Sequence, residues 1–81
     1  MSPKAPRDVS GKQLIKILSK YGCEVIRQSG SHIRISISDK NGIHNTTIPN
    51  HESLRLGTLM SIISEVADYL GIDKQEIISK L

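Results

Sequence analysis

Ile33-Arg34-Ile35-Ser36-Ile37-Ser38 is the stretch that decides the fold. Strict alternation of this kind is the signature of a half-buried strand, with Ile33, Ile35 and Ile37 on one face. His32, Arg34 and Ser36 share the other face, which in a small one-sided sheet points to water. Upstream, residues 23–29 read as a first strand, less regular because Val25 and Ile26 are adjacent, and Gly30 breaks it from the second strand, residues 31–38. Downstream, Asp39-Lys40-Asn41-Gly42 is a turn signal, with Asn-Gly suited to positive φ. A third strand over 43–48 then pairs antiparallel with the second, and Pro49 ends it.

Helices flank these strands. Ser10 is suited to cap a helix running to about Tyr21, with Leu14, Ile17, Leu18 and Tyr21 as its apolar face and Gly22 as its stop. Lys12, Lys16 and Lys20 lie almost opposite as a cationic stripe. Thr58 is the expected N-cap of a second helix, in which Leu59, Ile62, Ile63, Val66, Ala67 and Leu70 keep helical spacing up to Gly71. Asp73 and Glu76 are spaced as a capping box for a short last helix carrying Ile77, Ile78 and Leu81. The expectation is an α+β fold of order α-β-β-β-α, a three-stranded antiparallel sheet with helices on one face and a short extra C-terminal helix. Residues 1–9, with Pro3 and Pro6, read as a flexible tail; residues 10–71 form the domain; residues 72–81 form the terminal helix packed on it.

Eighty-one residues make one small domain, whose core must be aliphatic because the chain has no Phe or Trp and two Tyr. The shortage of aromatics argues against a module that stacks RNA bases on its sheet. One cysteine, Cys23, excludes an internal disulfide and fits a cytoplasmic protein; opening an apolar stretch, it reads as a small buried hydrophobe. Nothing resembles a signal peptide or a membrane span. The net charge of +3 is divided unevenly: residues 1–40 carry eight Lys or Arg against three acids, residues 41–81 three against five. A basic first half suits a polyanion.

At His32, an imidazole that ordinarily titrates near ~6.5 stands at a strand start with a guanidinium two residues on, a pattern suited to proton transfer on a phosphate ester. Arg34 can stabilise phosphate charge, and Arg27 is placed either to bind RNA or to pair with an acid. Ser31 has no acid–base triad around it and reads as a turn residue. His44 matches no motif and reads as surface. The spacing of the three histidines fits no zinc signature, so neither a metal nor any other cofactor is expected.

Tyr21-Gly22, Arg27, Gly30-Ser31-His32, the Asn-Gly turn, Ile48-Pro49-Asn50-His51 and Gly57-Thr58-Leu59 together resemble the HicA/YcfA-like toxins in order and spacing, over roughly residues 10–71. The resemblance implies a fold like double-stranded-RNA-binding domains and endoribonuclease activity on mRNA; with no carboxylate cluster for a divalent cation apparent and histidine chemistry needing none, that cleavage is expected to be metal-independent. It also implies a HicB-like antitoxin partner and a catalytic histidine corresponding to His32. Lys12, Lys16, Lys20, Arg27, Ser31 and Arg34 are then the expected RNA contacts, with Gly30 and His51 as auxiliary positions. Two other readings stand beside it. One is a non-catalytic double-stranded-RNA binder. The other is a helix-turn-helix DNA reader in the C-terminal half, disfavoured because residues 58–81 hold four acids and two lysines.

Overall fold

The computed structural model describes residues 8–39 and 42–81. Its elements follow in the order α1 (Gly11–Ser19), β1 (Glu24–Ser29), β2 (His32–Asp39), β3 (Gly42–Pro49), α2 (Leu56–Leu70) and α3 (Lys74–Ile78). The sheet is antiparallel with β2 central. Ile33, Ile35 and Ile37 are buried as their alternation requires, and Ile33 pairs with Ile48 on β3. α1 packs against β3, and α2 against β2 and β3, so both helices cover this face. The core is aliphatic apart from Cys23, whose thiol pKa burial pushes up, away from the thiolate a nucleophile needs.

Local chemistry sets the ends of the elements. The Ser10 side chain accepts from the Gln13 N–H at 3.0 Å and starts α1. The expected end at Tyr21 comes earlier, at Ser19. From there the N–H groups of Lys20, Tyr21 and Gly22 donate three residues back, tightening the last turn before Gly22 turns at φ +89. α2 likewise departs from its expected cap. Its N-cap is Arg55 without a side-chain bond, and the Leu59 N–H donates to the Arg55 carbonyl at 2.8 Å. Thr58 therefore lies inside the first turn. Leu54 explains the shift: it is buried, and its N–H donates to the Val9 carbonyl at 2.8 Å, so the chain enters the helix directly from an anchored loop. At α3, Asp73 accepts from the Gln75 N–H, one residue short of the capping-box pairing.

The same bond corrects the tail. Val9 is 3% exposed and belongs to the core, so the folded unit starts before Ser10; residues 1–7 lie outside the described residues. Lys40 and Asn41 of the expected turn also lie outside them, while Asp39 and Gly42 pair across the hairpin. α3 is five residues long and turns Ile77 fully into the core, which leaves it no length to act as a groove-reading helix.

Candidate active site

The uncovered face of the sheet is assembled by register. Antiparallel neighbours share a face, and Ser29 pairs with His32, Arg27 with Arg34, and Arg34 in turn with Thr47. Strict alternation from Glu24 would send Arg27 to the helix side. A β-bulge between Val25 and Arg27 adds one residue and re-aims the strand, bringing Arg27 and Ser29 beside β2's polar residues. The adjacent Val25 and Ile26 are the sequence trace of that bulge. Gly30 and Ser31 form the tight β1–β2 connection, with Gly30 at φ +57, a conformation glycine adopts without strain.

Arg27, Ser29, His32, Arg34 and Thr47 line one open cavity of about 220 Å³. All five are exposed. Two guanidiniums stand directly opposite each other here, an arrangement that costs stability when nothing neutralises it. Among the described residues neither has a carboxylate within 4 Å, and no acid lines the cavity. Charge of this kind favours an anion, and arginine suits a phosphate because its fork can bind two oxygens. An imidazole at its edge can exchange a proton with whatever the arginines hold.

The other expected site residues are dispersed. Ser31 acts through its backbone, its carbonyl accepting from the Asn50 N–H at 2.7 Å, and does not line the cavity. Lys12 and His51 line a separate cleft with Ser10, Asn50 and Glu52. Lys16 and Lys20 are exposed on the side of α1 opposite its buried residues Leu14, Ile17 and Leu18. They point away from the sheet and border neither cavity. Ser29 and Thr47 belong to no motif in the sequence, although strand parity alone places Thr47 on the His32 side.

His44 is not the bare surface residue expected. It pairs with Ile37 on the helix side of the sheet, where its Nε2 lies 2.7 Å from a Glu65 carboxylate oxygen. Its ring stacks on Tyr69 with centroids 4.5 Å apart. These contacts pin the hairpin end of β3 to α2. Both side chains remain about a third or more exposed, so solvent screens the contact and the stacking carries most of the energy. His44→Ala should cost about 1 kcal/mol in a denaturant titration. It should leave chemistry on the opposite face unchanged; loss of activity without loss of stability would contradict this placement.

Among the described residues, no group of three or more His, Cys, Asp or Glu is placed to hold a metal ion. None of the described helices is long and apolar enough to cross a membrane.

Fold and cavity together define a small α+β protein with both main helices on one side of the sheet and an anion-suited face on the other. The family described as the HicA toxin of bacterial toxin–antitoxin systems matches residues 11–67. That span covers more than half of the chain and contains the whole cavity, and the protein belongs to this family. It is therefore the toxin of a toxin–antitoxin system, with an antitoxin as its partner. No curated protein and no solved structure matches the chain.

Proposed function

We propose that the protein is an endoribonuclease that cuts mRNA in the cytoplasm, with His32 as its proton-transfer group. The observation that carries this reading is the cavity in which His32 stands beside Arg27 and Arg34 with no acid to neutralise them. In the proposed reaction, the two arginines hold a phosphodiester. Neutral His32 takes the proton from the ribose 2′-OH, and that oxygen attacks the adjacent phosphorus. The bond to the 5′-oxygen breaks, and the imidazolium returns its proton to that leaving oxygen. The products are a 2′,3′-cyclic phosphate and a free 5′-OH, and His32 ends neutral as it began. Charge accumulating on the phosphoryl oxygens is met by the guanidiniums. The hydroxyls of Ser29 and Thr47, which line the same cavity, would hydrogen-bond the ribose or a phosphate oxygen.

A HicB-like antitoxin would silence such a site by covering the open face, and the exposed cationic cavity would speed capture of an acidic partner. Lys16 and Lys20 fall outside this picture.

Because imidazole and guanidinium supply both the proton transfer and the charge stabilisation, cleavage should persist in excess EDTA. Purified protein incubated with RNA should leave 2′,3′-cyclic or derived 3′-phosphate ends. Complete loss of cutting in EDTA, restored by magnesium, would overturn the mechanism. Tight RNA binding without any cut strand would favour the non-catalytic binder.

A further inference from the structure

A second cleft, of about 390 Å³, is lined by Ser10, Lys12, Asn50, His51 and Glu52. Backbone contacts place it next to His32. Pro49 is the cross-strand partner of His32, and the next residue, Asn50, donates its N–H to the carbonyl of Ser31 at 2.7 Å. On the other wall, the Gly11 N–H donates to the His51 carbonyl at 3.0 Å. A Cβ at Gly11 would overlap the Pro49 carbonyl oxygen, so glycine is what lets α1 close on this turn and bring Ser10 and Lys12 to the cleft.

The two cavities differ in charge. The His32 cavity has two guanidiniums and no acid. In the second cleft one ammonium, Lys12, is matched by one carboxylate, Glu52. A phosphate favours the first arrangement. A base edge, which presents donors and acceptors side by side, favours the second. The volume lies in the range of small-ligand clefts. His51 is exposed and offers an aromatic surface on which an unpaired base can stack. Asn50 can donate and accept, Glu52 accepts and Lys12 donates. Among the described residues, no side-chain hydrogen bond or ion pair occupies these four groups.

We propose that this cleft is a nucleobase subsite. It takes one unpaired base of the RNA beside the phosphate held at His32, stacked on His51 and read along its edge by Asn50, Glu52 and Lys12. The inference rests on the ribonuclease reading. It also gives that enzyme a base preference that the His32 cavity, lined by phosphate- and ribose-binding groups, does not provide. A carboxylate acceptor selects for amino hydrogens. Adenine, guanine and cytosine carry an exocyclic amino group, whereas uracil offers only its N3–H between two carbonyl oxygens that repel a carboxylate, so uracil should be disfavoured at one position flanking the cut.

The test is to cleave a random-sequence RNA pool with the full-length protein and sequence the new ends. Wild type should show one flanking position depleted of uracil by roughly tenfold, the discrimination expected of a good edge contact. Glu52→Ala and Asn50→Ala should flatten the bias at that position. Melting temperatures near wild type would confirm that both variants are folded, and Glu52→Gln provides a milder change if either is not. Cutting with no base bias, or with a bias that both variants keep, would overturn the subsite while leaving the ribonuclease reading intact. No cutting at all by wild type would overturn that reading itself.

Discussion

Gly11→Ala should be among the most destabilising single-methyl additions in this protein. Gly11 is buried at the first turn of α1, where a Cβ would overlap the Pro49 carbonyl oxygen. The Pro49 carbonyl carbon and the Asn50 Cα would follow at 3.2 and 3.3 Å. All three are backbone atoms, so no side chain can swing aside to make room. The Gly11 bond to the His51 carbonyl and the Leu54 bond to the Val9 carbonyl also tie both walls together. Overpacking against backbone should cost about 3 kcal/mol. For a domain of this size that lowers the melting temperature by roughly 10–25 °C. Gly57→Ala is the control: it lies in α2 with nothing within 4 Å of its Cβ position, and should be neutral or stabilising by about 0.5 kcal/mol. Thermal melts of the two variants side by side check the account. Equal melting temperatures would mean that α1 does not close on the 49–51 turn as described.

Much of this architecture can be read from the chain because one signal dominates it. The isoleucine alternation at 33, 35 and 37 sets the buried face of the central strand, and the spacing of Leu59, Ile62, Ile63, Val66 and Ala67 sets the helix above it. Both are burial patterns with a fixed period, so a long run outweighs any single odd residue. Helix starts are set by one or two bonds. Thr58 was the better cap by side-chain chemistry, but the anchored Leu54 carried the chain into the helix at Leu56. Val9 was hidden because a single apolar residue near two prolines has no period to reveal it.

The candidate site divides in the same way. His32 and Arg34 follow from parity on one strand. Arg27 joins them only because of the bulge, which the sequence marks as an irregularity without stating which way the strand turns. His44 could have been placed by parity, since 44, 46 and 48 alternate with Ile48 buried, but its partners Glu65 and Tyr69 lie 21 and 25 residues away in sequence. The lysine stripe is legible as periodicity alone, and helix packing puts Lys16 and Lys20 on the exposed side of α1, opposite its buried residues.

His32→Ala should abolish most RNA cleavage while sparing the fold. His32 is exposed, lies opposite the isoleucine face and has no side-chain hydrogen bond among the described residues. Its truncation should therefore cost no more than ~0.5 kcal/mol. A positioned acid–base group contributes about 10²–10⁴-fold to a rate, and here one imidazole is assigned both halves of the proton transfer. RNA affinity should largely persist, because Arg27 and Arg34 remain in the cavity, and growth arrest on expression should disappear. The decisive measurement is the cleavage rate of one RNA by wild type and His32→Ala at equal concentrations of folded protein. The account predicts a loss of about 100-fold or more with the melting temperature and RNA binding near wild type; a folded His32→Ala protein that cuts at the wild-type rate would contradict it.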